Sequence, residues 1–192
     1  MRIIEEHKGI FEVTKGFYET FKESCSTDES RIFTNYVYFD QENKVFIATD
    51  GRRMIYHYDT AVNSESGFYE LAKIGKKYKL IPIKYQGTFP NWKRVVPVDS
   101  ELEYVYMKSD QYGDNQQHSI FSVSGNLVRD SWFLCNMIRN IDCNINIEFI
   151  TKVLKHVNQF EIMKNREKSG DRAIVFIIDK NTRYIVMPMN KN

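Results

Sequence analysis

The chain has 192 residues, 42% of them hydrophobic, and carries 27 Lys plus Arg against 25 Asp plus Glu for a formal net charge of +2. That length suffices to bury a core in one large domain or two small ones, and the near balance of charge excludes the basic surplus of a protein that grips nucleic acid tightly. The three cysteines, Cys25, Cys135 and Cys143, are odd in number and form no CxxC pair, which argues against a disulfide framework or a zinc site and for reduced thiols in a cytoplasmic protein.

Along the chain, Phe17, Phe21 and Cys25 recur every four residues, so the spacing predicts an amphipathic helix over 11–25 with Lys15 and Lys22 towards water, despite Gly16. After a polar stretch at 26–30, Tyr36–Phe39 and Lys44–Ala48 are rich in aromatic and β-branched residues and read as strands joined by a turn at 40–43. Thr49-Asp50-Gly51 offers a second turn, in which glycine is free to take positive φ, before a strand over Met54–Tyr58. Residues 63–81, with Lys73, Lys76, Lys77 and Lys79, read as a connecting region. Pro82, Pro90 and Pro97 then predict an extended path along an edge or surface over Ile83–Val96, because proline lacks the amide an interior strand needs.

Residues 101–107 and 119–124 look like strands, and 127–143 carry too mixed a pattern to assign. A second helix follows, since Ile150, Val153, Leu154 and Val157 fall at i, i+3, i+4 and i+7 with Asn146 as cap and Glu148 and Lys152 able to pair on the wet side. Phe160–Met163, Ala173–Ile178 and Tyr184–Met187 read as strands, the last two joined by a hairpin turn at 179–182. A helix followed by three strands thus occurs near each end, which predicts an α+β fold whose antiparallel sheet packs on two helices.

The function classes narrow by what is missing. Glu5 and Glu6 break any apolar leader and no run approaches membrane length, so a soluble, intracellular chain without a membrane partner is expected. His7, His57, His118 and His156 are scattered, and no HExxH, P-loop or GxSxG element is present. Asp50 near His57, or Asp110 with His118, are pairs that chance supplies and that no third group completes. Neither catalysis nor a bound metal is expected.

Three stretches, in order, carry a resemblance. Residues 26–54 (STDESRIFTNYVYFDQENKVFIATDGRRM), 89–97 (FPNWKRVVP) and 144–189 (from NINIEFITKVL to YIVMPM) are similar to stretches of the bacterial sliding clamp, the beta subunit of DNA polymerase III. They look like that family's Thr-Asp-Gly-His-Arg-Leu turn, its Phe-Pro-Asp-Tyr segment and its Met-Pro-Met ending. Here Arg52 and Met54 stand where the family usually has His and Leu, Asn91 and Trp92 where it has Asp and Tyr, and Asn190-Lys191-Asn192 where it has Arg-Leu. The resemblance implies a DNA-clamp-like fold, with residues 1–88 as one clamp-like half, 89–98 as a linker segment and 99–192 as the other half. It also implies a protein of DNA replication or repair, without cofactor or metal, that tethers partners through an apolar peptide-binding groove.

In the family these stretches receive a Gln-Leu-x-Leu-Phe type peptide from polymerases and other partners. Carried over by motif, the groove residues are Thr49, Gly51, Arg52, Arg53 and Met54 from the turn, Pro90, Arg94 and Val95 from the linker, and Ile185, Val186, Met187, Pro188 and Met189 from the tail. Methionines and aliphatics make an adaptable apolar slot, and an arginine can hold polar peptide groups. Lys15, Lys22, Lys73, Lys76, Lys77, Lys152 and Lys155 are candidate contacts to double-stranded DNA, although such lysines are more often a solvated face. Ring closure as a homo-oligomer stays open, as do two alternatives: a stand-alone adaptor or decoy for clamp partners, and an unrelated ligand-binding or hydrolytic domain.

Overall fold

The computed structural model describes residues 3–7, 9–105, 107–108, 117–118, 120–122, 145–157, 159–165 and 173–188. The chain divides into two compact units, Met1–Trp92 with Asp179–Tyr184, and Lys93–Ile178 with Ile185–Asn192.

The first unit opens with β1 (Ile3–His7) and β2 (Ile10–Val13), which pair antiparallel. The helix expected over 11–25 is therefore shorter: α1 spans Lys15–Ser24. Phe11 and Val13 alternate with half-buried Glu12, a strand's period, and the Thr14 side chain then accepts from Phe17 N at 3.2 Å and caps the helix. Next come β3 (Val37–Asp40), β4 (Val45–Thr49) and β5 (Arg53–Tyr58), each within a residue of the expected strand.

The expected connecting region is instead a hairpin, β6 (Gly67–Ile74) and β7 (Lys77–Ile83). Its lysines hide the pattern, because Lys73, Lys76 and Lys77 lie at the solvent end while Phe68, Tyr69 and Leu80 carry the burial. All neighbours in this unit run antiparallel in the order β1-β2-β7-β6-β3-β4-β5. Pro82 pairs with Tyr69 of β6, and on its other side the β2 ladder stops at Leu80, so the missing amide breaks no ladder bond there.

Both faces of this sheet are covered. On one, Phe17 and Phe21 of α1 stack at 4.0 Å, and Phe46 sits among Phe11, Phe17 and Phe39 at centroid distances of 5.5, 6.0 and 4.6 Å. On the other, the segment after β7 lies over the strands. Phe89 stacks on Tyr38 at 4.6 Å, and Trp92 packs near Tyr56 while its indole N–H donates to Asp40 Oδ2 at 3.1 Å. The extended path expected over Ile83–Val96 is thus β7's last residue, an irregular strap with two aromatic anchors, and a 3-10 turn at Trp92–Val95.

The second unit contains β8 (Leu102–Tyr104), β9 (Met107–Lys108), β10 (Gln117–His118), β11 (Ile120–Ser122), α2 (Ile147–Leu154), β12 (Gln159–Asn165) and most of β13 (Ile174–Asp179). β12 pairs antiparallel with β13, β11 and β8, and β9 with β10. Helix α2 follows the expected pattern: the Asn146 side chain accepts from Glu148 N at 2.9 Å, and Ile150, Val153 and Leu154 are buried. Residues 127–143 lie outside the described residues.

The last strand, β14 (Thr182–Val186), begins in the first unit, where its first residues continue the sheet beyond β5, and ends in the second. The fold is α+β, with antiparallel strands and one described helix in each unit.

Candidate functional site

The motif residues of the first unit fall on the turn between β4 and β5. Thr49 Oγ1 accepts from Gly51 N at 3.0 Å and donates to Arg53 O at 2.7 Å. Asp50 Oδ1 accepts from the amides of Arg52 and Arg53 at 2.9 and 3.0 Å, while its Oδ2 takes Arg53 Nε at 2.9 Å. The carboxylate thus does for this turn what a cap does for a helix end, collecting amides that would otherwise lack partners. Gly51 adopts φ +86°, and a Cβ built there would stand 3.2 Å from Arg31 Nη1.

The two adjacent arginines have different surroundings. Arg52 is exposed, whereas Arg53 is only 7% exposed. Successive side chains of a strand point to opposite faces, and His57 of β5 meets Phe17 of α1 edge-on at 5.5 Å. Arg53 therefore points to the helix-covered face, and Met54, 3% exposed, to the face that carries Tyr56 and Trp92. The Arg53 guanidinium donates to the hydroxyl of Tyr184, which burial pushes well above its ordinary value. Burial, aided by the Asp50 carboxylate and opposed by Arg53, also pushes the Cys25 thiol up to about 12.

Pro90 is exposed because its neighbours Phe89 and Trp92 are the anchored residues of the strap. In the second unit Arg94 and Val95 are exposed; Ile185 and Val186 are fully buried in β14; Met187 and Pro188, just past the strand, are half-buried. Met189 lies outside the described residues. Of the motif residues, Gly51, Arg52, Pro90, Arg94 and Val95 are thus exposed and Thr49, Met187 and Pro188 half-buried, whereas Arg53, Met54, Ile185 and Val186 are buried, each within its own unit.

Sequence reasoning did not single out Arg31, Asp50 or Tyr184 as parts of this site. Thr-Asp-Gly announced Asp50 as a turn residue, but no local signal marks Arg31 or Tyr184, which meet the turn only through the fold.

The candidate DNA-contacting lysines remain in separate groups. Lys15 and Lys22 are exposed on α1, and Lys152 and Lys155 at α2. Lys73, Lys76 and Lys77 share the β6–β7 hairpin, where Lys77 pairs with Glu12 at 2.7 Å and Lys73 lies 5.7 Å from the Tyr78 ring. Lys152 stands 3.9 Å from Glu148. Among the described residues, no three metal-binding side chains cluster, and no helix is long and apolar enough to cross a membrane.

No protein-family model and no curated protein matches the sequence. Solved structures do match the fold. The beta chain of DNA polymerase III from Streptococcus pneumoniae aligns with a TM-score of 0.58 at 13% identity, covering 100% of this chain and 67% of that one. The beta subunit from Pseudomonas aeruginosa aligns with a TM-score of 0.56 at 12% identity, over 99% and 69%. The beta clamp of Helicobacter pylori bound to a DNA ligase peptide aligns with a TM-score of 0.52 at 14% identity, over 95% and 66%. The chain has the fold of these sliding clamps and spans about two-thirds of their length.

Proposed function

We propose that this sliding-clamp fold serves as a non-enzymatic tether of DNA replication or repair, holding partner proteins by a short peptide of the Gln-Leu-x-Leu-Phe type. One observation carries the reading: sliding clamps match the fold over the whole chain, which contains in order the three stretches that resemble the family's peptide-binding segments. The proposed contacts, carried over by motif, are Thr49, Arg52 and Pro90 within the first unit and Arg94, Val95, Met187 and Pro188 within the second, each exposed or half-buried in its own unit. The Helicobacter pylori neighbour was solved with a DNA ligase peptide, which supports a peptide as the ligand class.

The binding physics is that of apolar burial with a few polar anchors. Half-buried Met187 adapts its shape to a leucine or phenylalanine side chain, and Arg52 and Arg94 supply donors for peptide carbonyls or a carboxylate. Contact with double-stranded DNA through the exposed lysines of α1 and α2 is part of the same proposal. Clamping works by topology and weak phosphate contacts, so the net charge of +2 suits sliding better than tight binding.

Deleting residues 187–192 tests the peptide reading: binding of a Gln-Leu-Ser-Leu-Phe peptide, measured by fluorescence anisotropy, should vanish while the unfolding transition stays in place. Unchanged affinity rejects the assignment. Mass in solution with circular and linear DNA then separates a closed oligomer, retained only on the circle, from an adaptor or decoy that ignores DNA.

A further inference from the structure

We propose that Arg53, Asp50 and Tyr184 form a buried clasp that positions the Thr49–Arg52 turn, so that of the two neighbouring arginines only Arg52 meets a ligand and Arg53 is a positioning residue. The inference rests on the peptide-binding reading for its consequence, but the clasp itself rests on geometry within the first unit.

Three observations converge. Arg53 is 7% exposed, and its strand register aims it at the face covered by α1, away from solvent. Its charge is matched there: Nε donates to Asp50 Oδ2 at 2.9 Å, and the guanidinium also donates to the Tyr184 hydroxyl, itself fully buried. A cation taken out of water at such a cost holds its partners, since leaving them would strand a charge in the interior. The same carboxylate that holds Arg53 accepts the amides of Arg52 and Arg53 through its other oxygen. Arg53 therefore fixes Asp50, Asp50 fixes the backbone of the turn, and Arg52 is presented outward from a rigid base. Tyr184 adds the link to β14.

The sequence Arg52-Arg53 alone does not tell the two apart, and a motif carried over from the clamp family assigns both to the groove. The structure assigns them different work. A ligand's polar groups should be read by Arg52, whose replacement weakens binding directly, whereas changes at Tyr184 act only through the turn.

The experiment follows the arginine side-chain Nε–H signals of the full chain by ¹⁵N NMR while a synthetic Gln-Leu-Ser-Leu-Phe peptide is added. The Arg53 signal should exchange slowly with water and stay still, and the Arg52 signal should move. Tyr184→Phe removes one hydroxyl and keeps the packing, so it should fold; it should shift the Gly51 and Arg52 amides without peptide and weaken binding about threefold to tenfold. Arg52→Ala should cost about tenfold or more, and the double variant should lose less than the product of the two single losses, because Tyr184 acts through the turn that carries Arg52. An Arg53 signal that exchanges freely or moves with peptide overturns the proposal, as does an additive double variant. If the unaltered protein binds no peptide, the functional reading fails. The clasp is then still decided without peptide, upheld by slow Arg53 exchange and shifted turn amides in Tyr184→Phe and overturned by their absence.

Discussion

Two turns of the first unit invite comparison. The β4–β5 turn and the β6–β7 turn each join antiparallel strands, each contain a glycine at positive φ (Gly51 at +86°, Gly75 at +60°), and each are basic. In the second, Ile74 pairs with Lys77 across a two-residue connection in which glycine takes the first place, the economical solution for a twisted hairpin. Its tip is open: a Cβ at Gly75 would meet nothing within 4 Å, and Ile74 is 54% exposed. The first turn is bound by Thr49, Asp50 and Arg53 from within and overhung by Arg31. Similar turn chemistry thus yields a solvated loop in one place and a turn tied down by internal hydrogen bonds and a buried ion pair in the other. The difference lies in whether an inward-facing side chain next to the turn finds a buried partner.

The largest expected effect breaks that difference. Arg53→Met leaves Asp50 and Tyr184 without their shared partner and should destabilise the protein by about 3–5 kcal/mol in urea unfolding, whereas Lys77→Ser, which removes the surface pair with Glu12, should cost less than about 1 kcal/mol. Equal costs would mean that the two turns are held alike. A finer test compares the glycines. Alanine at either position should cost about 1–2 kcal/mol for the left-handed backbone, and at Gly51 more, because the new methyl group crowds Arg31 at 3.2 Å. Matching losses at both sites would show that Arg31 moves aside freely.

The smallest effect concerns the support beneath the first turn's strand. His57 is 1% exposed, and its Nδ1 lies 2.7 Å from Thr182 Oγ1. Burial holds its imidazole below the ordinary value of 6.5, with the Asp179 and Asp59 carboxylates pulling the other way. Above 6.5 the folded and unfolded states are both neutral at this residue. Below it, the unfolded chain takes a proton that the folded one refuses, so stability should fall as pH drops from 6.5 towards the folded value. Unfolding of the wild type and of His57→Gln at successive pH values checks this: the variant's curve should be flatter in that window, and parallel curves would contradict the assignment.

Much of the molecule was legible from periodicity and turn residues. The strands at 37–40, 45–49 and 53–58, the Asn146-capped α2 and the β13–β14 hairpin are local patterns, each read from a few neighbouring side chains. Helix α1 was read too long because Phe11 and Val13 serve β2, whose strand character depends on pairing with Tyr78 and Leu80 far along the chain. The β6–β7 hairpin was missed because lysines at its solvent end outweighed the buried Phe68, Tyr69 and Leu80 in a reading by composition. Of the candidate site, the resemblance supplied the stretches, and the structure shows which of their side chains are exposed, as Arg52 is, and which are buried, as Arg53 is.

What the sequence determined by itself was the elements carried by local pattern, among them β3 to β5, the Asn146 cap of α2 and the turns at 40–43, 49–51 and 179–182, since these depend on contacts within a few residues. Only the tertiary structure decided that Phe89 and Trp92 strap one face of the sheet, that Tyr184 reaches Arg53, and that Arg53 turns inward while Arg52 stays in water. Those outcomes depend on partners brought together from distant parts of the chain, and the cost of burying an unpaired charge makes such partners decisive.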